Sequence, residues 1–203
     1  MAHRRDDRRL KTLLTQECAR IMAEEGIQDF RIAKRKAALR LAVTDRTVLP
    51  GNAEIEQALL DYQRLFHADQ QSLHLRDLRE TALKVMRFLA DFRPRLVGPV
   101  LSGATGPYTG IHLHLFANTS KDILMFLMEQ RIPFEALERR LKMSNGDQVQ
   151  LPAFRFNADD HPVDLTIFPP LDEREAPCSP IDGRPMRRAG LAEVEALLTE
   201  CRP

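Results

Sequence analysis

Cysteine is scarce in this chain and poorly placed for structural work. Cys18, Cys178 and Cys201 are odd in number, far apart and without Cys-x-x-Cys spacing, which argues against both a disulfide framework and a cysteine zinc site. A reducing cytoplasm is the expected setting. Net charge is almost lacking too: 30 Lys and Arg stand against 29 Asp and Glu, so no global attraction to nucleic acid or to an anionic membrane is implied. Long apolar runs are missing, since no segment approaches the ~18 uninterrupted apolar residues of a membrane span. The first residues are charged rather than apolar, so neither a signal peptide nor a transmembrane helix is expected. Internal repeats and low-complexity tracts are absent as well.

What is present is enough for a real core. With 43% hydrophobic residues over 203 positions, the chain can form one large domain or two small ones. Charge is uneven along it. Residues 1–46 carry twelve Lys or Arg against seven acids, whereas 157–182 hold seven acids and only Arg174.

The first ~93 residues are helical by period. Leu10, Leu13, Leu14, Cys18, Ile21 and Met22 predict a helix over about 7–25, ended by Gly26. Asp29 can cap a second helix with Ala33, Ala37 and Leu41 inward and Arg31, Lys34, Arg35, Lys36 and Arg40 on its remaining surface. That basic face could track a phosphate backbone, as in RNA binding, or simply be solvated charge. A third helix follows Pro50-Gly51-Asn52, and a fourth carries Leu75 through Leu89.

At Pro94 the character changes to short β-rich runs broken by Gly and Pro, so a boundary is expected near Arg93, dividing 1–93 from 94–203. Strands are predicted at Leu96–Leu101, Gly110–Ala117, Leu151–Phe156 and Pro162–Phe168, with a polar turn at Ala158-Asp159-Asp160-His161. Asn118-Thr119-Ser120 offers an N-cap for a helix carrying Ile123 and Leu127. Phe134–Lys142 has a helical composition, but its place between sheet elements favours a strand. Residues 169–189 read as a surface loop before a last helix at about 190–200. The expected class is α+β, with an N-terminal helical region packed on a small mixed sheet.

One stretch looks built for chemistry. His112 and His114 alternate with Ile111, Leu113 and Leu115, which points two imidazoles to one side of a strand beside the turn Ser102-Gly103-Ala104-Thr105-Gly106-Pro107-Tyr108-Thr109. Asp164, on a later strand, can join them as a third ligand of a divalent metal with an open fourth position. Alternatively, the two histidines are polar residues on a solvated or helix-covered face. His112 is also a candidate general base, although no nucleophile partner is identifiable. The turn, with Ser102 and Thr105 as its first hydroxyls and Gly98 and Gly103 beside them, can fold backbone amides round an anion, or be only a turn. Arg184, Arg187 and Arg188 could meet phosphate or the acidic stretch before them.

Gly98-Pro99, ten residues, then Gly110-Ile111-His112-Leu113, and later Val163-Asp164-Leu165, resemble the core of the nucleotidyltransferase superfamily related to DNA polymerase beta. The resemblance covers residues 96–168, about a third of the chain. It implies a mixed sheet of nucleotidyltransferase-like topology, a nucleotide held at 98–109, and a divalent ion (Mg, Mn or Zn) at Asp164. Family members place paired acids where this chain has Gly110 and His112, and a serine where it has Pro99. Imidazole suits zinc or manganese better than Mg²⁺, and proline removes a backbone donor. The implied activity is nucleotidyl transfer in altered or lost form. The second reading is a non-catalytic relative that binds a nucleotide, or RNA through the basic helices.

Overall fold

The computed structural model describes residues 2–66 and 68–200, so Cys201 lies outside the described residues. Three helices open the chain: α1 (Ala2–Glu25), α2 (Phe30–Arg40) and α3 (Asn52–Phe66). α2 begins where its cap predicts, because the Asp29 carboxylate accepts from the backbone N–H groups of Arg31 (2.7 Å) and Ile32 (3.2 Å). Leu14, Cys18 and Ile21 of α1, Ala33 and Ala37 of α2, and Ile55 of α3 are fully buried together.

The chain divides into two compact units. The helical unit comprises the residues up to Gln71 with the short segments Ala104–Thr109 and Pro180–Asp182. Within it the Gln28 side chain donates to the Tyr108 carbonyl at 2.7 Å, and a Cβ at Gly26, where φ is +66°, would fall 2.1 Å from the Tyr108 ring. Only glycine fits that close approach.

The second unit holds Ser72–Gly103, Gly110–Ser179 and the residues from Gly183 onward. It contains α4 (Ala68–Phe88) from Ser72 on, β1 (Arg95–Val97), α5 (Pro99–Ser102), β2 (Ile111–Phe116), α6 (Ser120–Glu129), β3 (Glu135–Lys142), β4 (Gln148–Ala158), β5 (His161–Phe168) and α7 (Leu191–Glu200). The fold class is α+β, and the sheet is mixed. Its strand order is β1-β2-β5-β4-β3, with β2 and β5 parallel and every other neighbouring pair antiparallel.

Alternation gives the sheet two faces. Leu96, Ile111, Leu113, Leu115, Phe154, Phe156, Val163, Leu165 and Ile167 pack with Leu78, Met86 and Leu89 of the α4 region, Ile123 and Leu127 of α6, and Val194 of α7. The opposite face carries a smaller apolar cluster of Phe116, Met143, Leu151 and Phe168. Beside it the same face carries His112, His114, Arg139, Arg155, Asp164 and Thr166.

The strand expected at Leu96–Leu101 stops at Val97. Gly98 adopts φ +74° and ψ −152°, and Pro99 then starts the one-turn helix α5 at its first position; the fixed φ of proline suits a helix start, and its missing N–H cannot extend the strand ladder. α1 and α4 begin earlier than their apolar periods indicate, at Ala2 and Ala68. Polar helical turns carry no hydrophobic period to read. Phe134–Lys142 is extended as expected, over Glu135–Lys142, and forms the sheet edge. The Asp159-Asp160 turn has both residues at positive φ, +48° and +66°, as a two-residue hairpin of the favoured twist requires.

Candidate anion site on the polar sheet face

Strand register builds the site. Asp164 of β5 lies directly opposite His112 of β2 and Arg155 of β4, so their three side chains share the face away from the main core. Arg139 of the edge strand β3 joins them from the same face. Asp164 is 6% exposed and its carboxylate is surrounded by cationic or polar donors. Arg155 donates from Nε to Oδ1 at 2.6 Å and from Nη2 to Oδ2 at 3.1 Å, Arg139 donates from Nη2 to Oδ2, and His112 Nδ1 lies 3.3 Å from Oδ2. Burial by itself would raise the Asp164 pKa. The hydrogen bonds of His112 and Arg155 and the charge of Arg139 outweigh it, and hold the carboxyl well below the usual range.

His114, one pleat along, belongs to a different cluster. Arg188 donates from Nε to His114 Nδ1 at 3.0 Å, and its guanidinium carbon lies 4.7 Å and 5.1 Å from the ring centres of Phe168 and Phe116. Its Nη1 donates to the Asp172 carbonyl at 2.8 Å. Burial, reinforced by the charges of Arg188, His112 and Arg139, pushes His114 down to about 3. The ring is therefore neutral at ordinary pH, with Nδ1 as acceptor. Burial also lowers Arg188, to about 10, which leaves it charged at neutral pH.

The residues expected to form one site are thus brought together only in part. His112 and Asp164 meet, while the Nδ1 atom of His114 accepts from Arg188. Gly98 abuts His112, since a Cβ there would lie 3.3 Å from His112 Cδ2. Gly103 ends α5 at φ +90° and donates its N–H to the Pro99 carbonyl, and Ser102 Oγ lies 3.4 Å from the same oxygen. Thr105 is 1% exposed inside the helical unit, where its carbonyl accepts from the Gln63 side chain. Turn residues 102–109 therefore divide their contacts, and Thr105 presents no hydroxyl at the surface.

A divalent metal does not suit this donor set. Both Asp164 oxygens already accept from cations, Gly110 supplies no ligand, and His114 Nδ1 is engaged by Arg188. A Cβ at Gly110 would lie 3.1 Å from the Pro162 carbonyl oxygen, so a side chain at this position needs the start of β5 to give way. Among the described residues no group of three His, Cys, Asp or Glu side chains is placed to hold a metal ion.

The basic face of α2 is largely paired inside the helical unit. Lys36 meets Glu25 at 2.6 Å, Arg40 bridges Glu17 and Glu25 at 3.0 Å and 2.6 Å, and Arg31 lies 3.6 Å from Asp29. Lys34 and Arg35 remain outside those pairs.

Sequence reading missed Arg139 and Arg155. A usable signal existed for one of them: a two-residue turn at Asp159-Asp160 pairs Ala158 with His161, and counting back three residues on each side sets Arg155 opposite Asp164. No such count reaches Arg139. Among the described residues no helix is long and apolar enough to cross a membrane. Comparison with protein-family models, curated proteins and solved structures returns no match.

Proposed function

We propose that this chain carries a nucleotidyltransferase-like domain that holds a nucleotide and has lost, or altered, transfer chemistry, in a cytoplasmic setting. The observation that carries this reading is the state of Asp164. It is the one acid of the right type in the family-like pattern, and its carboxylate serves as the anchor of Arg139, Arg155 and His112. A metal-dependent transferase needs that carboxylate for the ion that bridges the nucleotide phosphates. Here the same place offers positive charge directly. RNA binding through the basic helices draws less support, because Lys36 and Arg40 are committed to Glu17 and Glu25.

The test is incubation of the purified protein with labelled nucleoside triphosphates, Mg²⁺ or Mn²⁺, and cell extract, following pyrophosphate release and bound nucleotide in parallel. Bound nucleotide without pyrophosphate release is the expected result. Turnover abolished by Asp164→Ala would instead establish an active transferase, and the absence of any nucleotide binding would remove both versions.

A further inference from the structure

We propose that Arg139 and Arg155, fixed side by side by Asp164, form a metal-independent clamp for an oligophosphate, the di- or triphosphate portion of a nucleotide ligand. This inference rests on the nucleotide-binding reading for the identity of the ligand, but its chemistry can be tested apart from it. A guanidinium has five N–H donors in a rigid planar fork. Asp164 accepts from Nη2 of Arg139 and from Nε and Nη2 of Arg155. Arg139 Nε and Nη1 and Arg155 Nη1 make no hydrogen bond within the described residues. The two side chains are 35% and 45% exposed, against 8% for Asp164. The carboxylate is thus covered, while both arginine side chains keep contact with solvent.

Such an arrangement suits phosphate for two reasons. Planar forks match phosphate oxygens in pairs, which a point charge does not. A buried carboxylate that holds both rotamers removes part of the entropy cost of ordering them on binding. Two guanidiniums and one carboxylate leave the cluster with one positive charge before His112 is counted. Glu135 is the opposing element: it stands across from Arg155 in the β3–β4 register and is exposed. Its charge subtracts from the clamp at the rim.

The family-like mechanism would bind phosphates through carboxylate-held metal, with a requirement for the ion. The clamp reverses that dependence. Mg²⁺ neutralises the polyphosphate and competes with the guanidiniums for its oxygens, so a chelator should preserve or strengthen binding.

The experiment is calorimetric titration of the full chain with inorganic tripolyphosphate and, separately, with nucleoside triphosphates, in EDTA and in Mg²⁺. Binding in EDTA is expected for both, at least as tight as in Mg²⁺. Arg139→Gln and Arg155→Gln should each weaken it about 10-fold or more, the scale of one lost charge-assisted fork. Glu135→Gln, which touches none of the bonds to Asp164, should tighten it about 2- to 3-fold; it keeps the test open if an arginine variant does not fold by circular dichroism. Nucleotide binding that requires divalent ion, or that ignores all three substitutions, overturns the clamp and leaves the nucleotide reading standing. Tripolyphosphate bound in EDTA, with no gain from an attached nucleoside, supports the clamp and removes the nucleotide reading.

Discussion

Arg155 and Asp164 face each other across β4 and β5, joined by hydrogen bonds of 2.6 Å and 3.1 Å that use both carboxylate oxygens. The pair is asymmetric in solvent, since the Arg155 side chain is 45% exposed and that of Asp164 8%. Removing the arginine leaves a buried charge with fewer partners, whereas removing the carboxylate leaves two cations that water can still reach. The second change therefore gives the cleaner measure of what the cluster contributes.

Asp164→Asn should lower stability by about 1–3 kcal/mol at pH 7, below the usual range for a fully buried pair because the arginines are partly solvated. The pH dependence has a definite sign. The folded pKa of Asp164 is held below its unfolded value, so its contribution is complete above about pH 4 and is lost as pH falls towards the folded value. Urea unfolding of wild type and Asp164→Asn should show the gap between them narrowing from pH 5 to pH 2.5. A gap that stays constant or widens over that interval would show that the carboxylate is not stabilised by its partners.

An acid introduced at position 110, just ahead of β2, should not create a metal site. A Cβ at Gly110 would approach the Pro162 carbonyl oxygen to 3.1 Å, so Gly110→Asp must displace the start of β5 or its own strand. The expected cost is about 1–3 kcal/mol, with no gain of Mn²⁺ or Mg²⁺ affinity by calorimetry. A stable variant that binds a divalent ion tightly would mean that the strand start yields easily and that the metal reading deserves a return.

Gly98 holds the turn from β1 into α5 at φ +74° and ψ −152°, a region open almost only to glycine. Gly98→Ala adds a methyl 3.3 Å from His112 Cδ2, so backbone strain and crowding act together. A loss of about 1–3 kcal/mol in urea unfolding is expected, together with weaker anion binding, because the displaced ring is the one beside Asp164. Unchanged stability would show that the chain reaches this turn by another conformation.

Much of this architecture was legible where one physical signal acted alone. The Asp29 cap and the polar turn at Ala158-Asp159-Asp160-His161 each follow from local chemistry, and the structure has them; the strand after Phe134 followed only from its place between sheet elements. Leu96–Leu101 misled because Val97 and Val100 favour strand while Gly98-Pro99 between them turns the chain. The site divided along the same line. His112 and Asp164 were placed together by alternation on neighbouring strands, but His114 shares their face and still belongs to Arg188, 74 residues away. Arg139 was hidden for a similar reason. Its strand is an edge whose composition reads as helix, and its 25-residue separation from Asp164 leaves no spacing to recognise.

The neutral state of His114 gives a second pH signature with the opposite chemistry. Burial lowers its folded value to about 3 from an ordinary 6.5, so between those limits the unfolded chain binds a proton that the folded chain does not. Stability must then fall as pH drops below about 6.5, by up to about 1.4 kcal/mol per pH unit from this one group. His114→Gln keeps a side-chain acceptor for the Arg188 N–H and removes the titration. Between pH 7.5 and pH 5.0, wild type should lose about 2 kcal/mol more than His114→Gln in urea unfolding, and the His114 ring should show no chemical-shift titration by NMR above pH 4. Parallel pH profiles for the two proteins, or a ring that titrates near 6.5, would sink the assignment of His114 as a buried neutral acceptor.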